Sequence, residues 1–154
     1  MTIKERLTSL RDARTWEDKI PFHYEYTAGE AGERFLRGLI DGKILGARCE
    51  NCQLTYLPPK MYCTNCFREI ASFRDLGLKG RIAALTEAYV DFAGERVEKP
   101  YLIAFVTFAD AKGGIIQRVT GSKPRIGSRV VARLKPRERR TGAITDILSF
   151  VVER

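Results

Sequence analysis

Histidine is almost missing from this chain of 154 residues; it occurs once, at His23. Cysteine occurs four times and tryptophan once. No stretch of about 18 apolar residues exists, which excludes a membrane-spanning helix. The N-terminus, MTIKERLTSLRDARTWEDKI, lacks the apolar centre of a signal peptide. The expected location is therefore the cytoplasm, where thiols stay reduced and paired cysteines bind metal more often than they form disulfides. No internal repeat or low-complexity segment interrupts the chain. A Gly-rich phosphate loop is also missing: Lys112-Gly113-Gly114 reads as a hairpin turn. Aspartate and glutamate are scattered, with no pair at a spacing that suggests acid–base chemistry.

What the chain has is ordinary globular content, 44% hydrophobic and 30% charged residues, enough for one domain or two small ones. The formal net charge is +8, and it is concentrated. Arg118 to Arg140 holds nine Lys or Arg, one acid (Glu138) and no aromatic residue. A local field of this kind suits an anionic partner, or else a pair of solvated strands with basic outer faces.

Two helices are expected before residue 43. Thr2 to Glu5 fits a capping box, followed by Ile3, Leu7 and Leu10 on one face. Thr27 to Glu30 repeats that signal ahead of the apolar stripe Phe35, Leu36, Leu39 and Ile40, with Gly42 as the stop. Between the helices lie Trp16, Phe22, Tyr24 and Tyr26. Helices this short have no core of their own, so they must pack on the rest of the chain or on another protein. From Leu78 onward the chain reads as five strands: GRIAALTEAYVDF, YLIAFVTFA, KGGIIQRVTG, GSRVVARLKP and AITDILSFVVE. The second and third are joined by a turn around Asp110 to Gly114. In the fourth, Val130, Ala132 and Leu134 alternate with Arg129, Val131, Arg133 and Lys135, giving one apolar and one mostly basic face. Five strands in about 75 residues suit a small barrel: an OB-fold first, an SH3-like barrel as the alternative. The expected fold is thus mainly β with N-terminal α-helices, in three parts: 1–42 helical, 43–76 a zinc ribbon, 77–154 the barrel.

The middle part contains every cysteine. Cys49, Cys52, Cys63 and Cys66 form two C-x-x-C pairs with the spacing of a zinc ribbon. Each pair makes a tight knuckle that presents two thiolates, and four sulfurs close a tetrahedral site. No position remains for water or substrate, so the expected metal is structural: one zinc per chain, with iron also compatible with four thiolates. About 30 residues cannot build a core, and the metal stands in for one. With its cysteines committed, the chain lacks the free thiol and partner His of a thiolase-type nucleophile. His23 lies in the aromatic N-terminal segment and reads as a packing or surface residue.

The order of parts, an amphipathic helix leading into GLIDGKILGARCENCQLTYLPPKMYCTNC and then a five-stranded barrel, resembles the zinc-ribbon/OB-fold proteins associated with acyl-CoA enzymes. Their ribbon is described as rubredoxin-like, and they were long catalogued as a domain of unknown function. The resemblance spans about residues 31 to 152, and includes the Pro58-Pro59-Lys60 step between the knuckles. The family pattern usually has Gly after the second Cys of a knuckle; here Gln53 and Phe67 stand in those places. The resemblance implies a non-enzymatic helper of a thiolase-like, hydroxymethylglutaryl-CoA synthase-type or other acyl-CoA enzyme, with a share in binding coenzyme A or acyl-CoA. Lys123, Arg125, Arg137, Arg139 and Arg140 are then the candidates to meet the phosphates of the coenzyme. The competing reading is a single-stranded nucleic-acid module, for which Tyr89, Phe92 and Tyr101 would supply the stacking platform.

Overall fold

The computed structural model describes residues 26–91 and 94–153. The first expected helix, the aromatic stretch to Tyr24, His23 and Phe92 lie outside them. One α-helix, α1 (Gly29–Ile40), precedes eight strands: β1 (Leu45–Arg48), β2 (Thr55–Leu57), β3 (Ser72–Asp75), β4 (Lys79–Val90), β5 (Arg96–Thr107), β6 (Ala111–Thr120), β7 (Arg129–Leu134) and β8 (Ile147–Val152).

The second helix forms, but not by the expected start. Its N-cap is Ala28, and no side chain caps it. The Thr27 capping box is not made, because Glu30 reaches forward to Arg34 at 2.6 Å and not back to the cap. The expected stop is correct. Gly42 has φ 78°, its N–H donates to the Leu39 carbonyl, and the Lys43 N–H donates to the Gly38 carbonyl. This is the paired hydrogen bonding of a Schellman end, in which a left-handed residue turns the chain off the helix. Ala31, Phe35 and Leu39 are buried, so the apolar stripe packs on its own chain.

The last five strands close into a barrel. β4 pairs antiparallel with both β5 and β7, β5 with β6, and β7 with β8. A parallel pairing of β6 with β8, Val119 to Phe150 and Thr120 to Val151, completes the ring. This is the five-stranded OB-fold. In β7 the expected alternation holds: Val130 and Ala132 are buried while Arg129 and Arg133 are exposed. Val106, Val130, Ile147 and Phe150 fill the interior, and Phe108 meets Phe150 edge-on at 6.1 Å between ring centres.

One sequence expectation fails in an informative way. Lys112-Gly113-Gly114 is not the turn between β5 and β6; it lies inside β6, and the turn is made at Phe108 to Ala111, with Asp110 at φ 60°. The glycines serve close approach instead. β2 runs parallel to β6, pairing Thr55 with Ala111, Tyr56 with Lys112 and Leu57 with Gly113. A Cβ on Gly113 would fall inside the Leu57 carbonyl, and one on Gly114 inside the Val106 carbonyl. Only glycine lets β6 be gripped from both sides, by the barrel and by the ribbon.

β1, β2 and β3 form the small antiparallel sheet of the cysteine segment. That segment does not stand apart from the barrel. Phe35 and Leu39 of α1, and Ile44 and Leu57 of the ribbon, belong to the same buried cluster as the barrel interior. The helix end is also tied down by Arg140, whose Nη1 donates to the Ile40 carbonyl at 3.1 Å and whose Nε donates to the Lys135 carbonyl at 2.8 Å. Nearby, the wholly buried Asp146 carboxylate accepts from the N–H groups of Thr141, Gly142 and Ala143 and from Lys135 Nζ. Among the described residues no helix is long and apolar enough to cross a membrane.

Candidate metal centre and basic surfaces

The two knuckles are built alike. In each, the first cysteine's N–H donates to the carbonyl five residues on: Cys49 to Leu54 at 2.8 Å, and Cys63 to Arg68 at 2.9 Å. Reversing direction this tightly needs a left-handed residue, and Gln53 and Phe67 supply it at φ 57° and 58°. The substitution of glycine at these places therefore leaves the knuckle geometry intact. Left-handed backbone costs an L-residue roughly 1–2 kcal/mol. Gln53 has visible compensation, since its side chain bonds the Glu50 carbonyl and the Arg48 guanidinium. Phe67 is 80% exposed, and nothing in the described residues compensates it.

The knuckles bring all four sulfurs together. Their Sγ atoms lie within 4.8 Å of one another, with Cys49 and Cys66 at 3.6 Å. A tetrahedral four-sulfur site with metal–sulfur bonds of about 2.3 Å places its sulfurs about 3.8 Å apart. The donor set therefore fits a structural metal ion. Cys49 and Cys63 are buried, and Cys52 and Cys66 partly so.

N–H and O–H donors surround the sulfurs. The Cys52 N–H points at Cys49 Sγ and the Asn65 N–H at Cys63 Sγ, both at 3.4 Å. Asn65 Nδ2 donates to Cys52 Sγ at 3.2 Å. The Tyr56 hydroxyl lies 3.3 Å from Cys63 Sγ, and it accepts from Thr64 Oγ1 at 3.1 Å. Lys60 Nζ sits over the same tyrosine ring at 5.5 Å. The Tyr56 hydroxyl is the main reason the Cys63 thiol is held down to about 6. The Arg68 backbone N–H, helped by the Cys52 and Cys49 side chains, lowers Cys66 against the effect of burial. Cys49 is pushed up to about 11: the Cys52 N–H favours its thiolate, but burial and the neighbouring Cys63 and Cys66 sulfurs together outweigh it. Four thiolates cannot crowd into one site without a cation, and a bound metal removes that conflict by deprotonating them all.

Tyr56 and the two asparagines escaped the sequence reading. A signal was present: both knuckles read C-x-N-C, with Asn51 and Asn65 before the second cysteine. Asn51 Nδ2 also faces Cys52 Sγ, at 3.8 Å.

The five basic candidates are not brought together. Lys123 and Arg125 stand exposed in the loop before β7. Arg137 and Arg139 are exposed on a 3-10 turn after it, beside the half-buried Arg140. The intervening β7 has six residues, about 20 Å of strand. Two basic groups thus sit at opposite ends of one strand, and Arg140 is occupied in capping α1. Of the aromatic platform, Tyr89 is exposed with its hydroxyl on Glu87 at 2.5 Å. The Tyr101 ring is already covered by the Arg118 guanidinium at 4.0 Å.

Fold and metal site together define a class: a four-cysteine zinc-ribbon domain joined to an OB-fold barrel. Residues 38–70 match the family model described as the ChsH2, rubredoxin-like zinc ribbon domain. No curated protein matches the chain. Among solved structures, the chain is similar to a DUF35-family protein of unknown function from Sulfolobus solfataricus. That match has 26% identity, a TM-score of 0.65, and covers 84% of this chain and 90% of that one. A second similar structure is an Ltp2-ChsH2(DUF35) aldolase, at 17% identity and TM-score 0.55, covering 70% of this chain and 85% of that one. At that identity the likeness is one of fold. The ribbon match and the two structural likenesses agree with the resemblance carried by the sequence.

Proposed function

We propose that this chain is a non-catalytic, zinc-binding accessory subunit of an acyl-CoA enzyme. The observation that carries the reading is the closed metal centre. All four cysteines face one another, so the metal they hold has no open position for a substrate. The metal is read as zinc because four thiolates in tetrahedral array suit it, and its work is to hold the ribbon in shape. Among the described residues there is no histidine and no cysteine outside this centre. Among those residues, thiol-and-imidazole chemistry therefore has no pair to perform it. The likeness to a structure in which a ChsH2(DUF35) protein is joined with Ltp2 in an aldolase supports a role beside an enzyme. The partner class is a thiolase-like or other acyl-CoA enzyme. Lys123, Arg125, Arg137, Arg139 and Arg140 remain proposed contacts to coenzyme A phosphates, now as two separate groups.

The test is affinity capture of the tagged full chain from its native cell, with partners identified by mass spectrometry. Recovery of an enzyme that uses acyl-CoA substrates is the expected result. Recovery of nucleic acid with single-strand-binding proteins, and of no such enzyme, would overturn the reading.

A further inference from the structure

The outer face of the barrel carries a second feature, away from the metal. β4, β7 and β8 lie side by side, and the register puts Arg81 directly opposite Arg129. The Glu153 N–H donates to the Arg129 carbonyl at 3.0 Å, which extends the row to the third strand. Directly opposed residues of an antiparallel pair share one face, with Cβ atoms about 4.5–5.5 Å apart. Two arginines so placed repel, and a sheet tolerates this only at a cost to stability.

The neighbouring carboxylate does not relieve the repulsion. Glu153 is paired with Lys79 at 2.9 Å. Arg81 donates Nη1 to the Gly127 carbonyl, which fixes its guanidinium without neutralising it. Among the described residues Arg129 has neither a hydrogen bond nor an ion pair from its side chain. Two adjoining depressions of about 590 and 430 Å³ open here, and Arg129 and Glu153 line both. Lys79 and Arg81 line the second. Three cations against one anion leave this wall at +2. The turn carrying Arg125 folds back onto it, through the Arg125 N–H to Ser128 Oγ at 3.1 Å.

We infer that Arg81 and Arg129, with Lys79 beside them, form a binding site for a phosphate group carrying two negative charges. The chemistry selects the class. Each guanidinium offers a planar fork of N–H donors, and a single carboxylate would satisfy one fork and leave the other charged. A pyrophosphate or phosphomonoester has enough oxygens and charge for both. The phosphate can belong to a free polyphosphate or to coenzyme A; the second source rests on the acyl-CoA reading above, while the site itself does not.

Calorimetric titration of the full, zinc-loaded chain near physiological salt tests this, with sodium pyrophosphate and with coenzyme A as probes. The variant is Arg129→Gln, a change at an exposed side chain that makes no hydrogen bond or ion pair among the described residues. Both probes should bind the wild type, and both should weaken at least tenfold in the variant. The ligand-free variant should also melt higher, by about 1–3 °C, because a like-charge pair has been removed. A purely structural arginine would lower the melting point instead. Pyrophosphate binding that is lost in the variant, with no response to coenzyme A, would keep the site and discard the coenzyme. Coenzyme A binding that the variant leaves unchanged would discard the site and keep the coenzyme. Failure of the wild type to bind pyrophosphate, or a lower melting point in the variant, would overturn the inference.

Discussion

Replacing Gly113 by Ala tests how the ribbon is fastened to the barrel. Gly113 sits at φ 94° in β6, against the backbone of Leu57 in β2. Two costs are expected. The first is conformational: a non-glycine residue held at such a positive φ is strained by about 1–3 kcal/mol. The second is steric. The new methyl group would overlap the Leu57 carbonyl oxygen, which is backbone and cannot swing aside. Forcing strands apart to admit one carbon costs about 1–3 kcal/mol. Together they reach roughly 2–6 kcal/mol, a large part of a typical domain stability of about 5–15 kcal/mol. Gly77→Ala isolates the first cost. Gly77 also has a positive φ, 72°, but a Cβ there would meet nothing within 4 Å. Urea unfolding of the zinc-loaded chain should therefore show Gly113→Ala destabilised by at least about 1 kcal/mol more than Gly77→Ala. Equal losses for the two variants would refute the claim that β2 and β6 are held at glycine distance.

Other changes have separate expected outcomes. Cys63→Ser should abolish stoichiometric zinc, measured by elemental analysis, because three thiolates no longer close the site. Tyr56→Phe removes the hydroxyl beside Cys63 and should weaken zinc about 10- to 100-fold in a chelator competition, while the fold persists. Arg140→Ala should cost about 1.5–3 kcal/mol in urea unfolding, since it frees the Ile40 and Lys135 carbonyls from a charged donor. Asp146→Asn breaks a buried ion pair and should cost on the order of 3 kcal/mol at neutral pH. Burial alone would raise the Asp146 carboxyl, but the N–H groups of Ala143, Gly142 and Thr141 and the Lys135 ammonium outweigh it and lower the value. Its stabilisation is therefore complete above the unfolded carboxylate value near 4, and is lost as pH falls through the lower folded value. The gap between wild type and Asp146→Asn should narrow below about pH 4 and stay constant above about pH 5.

The parts of this molecule that were legible in the sequence are those encoded over short distances. The C-x-x-C pairs name their ligands because a knuckle is four residues long, and β7 shows its buried face because alternation repeats every second residue. Gly42 reads as a stop because a Schellman end is local. The parts that escaped depend on distant strands. Lys112-Gly113-Gly114 looks like a turn by composition, and only the approach of Leu57 from the ribbon explains glycine inside a strand. The hold of Arg140 on the end of α1, a hundred residues earlier, has no local signal in the sequence. Arg81 and Arg129 are unremarkable in sequence, since their opposition exists only in the register of β4 and β7. Thr27 failed for a local reason of another kind: Glu30 had a better partner in Arg34.

The accessory role is tested most directly by the turnover of an acyl-CoA substrate by the captured partner enzyme, by this chain alone, and by both together. The chain alone should show none, and its addition should raise the partner's kcat/KM or preserve its activity on storage. Turnover by the purified chain alone, or a partner indifferent to its presence, would contradict the accessory role.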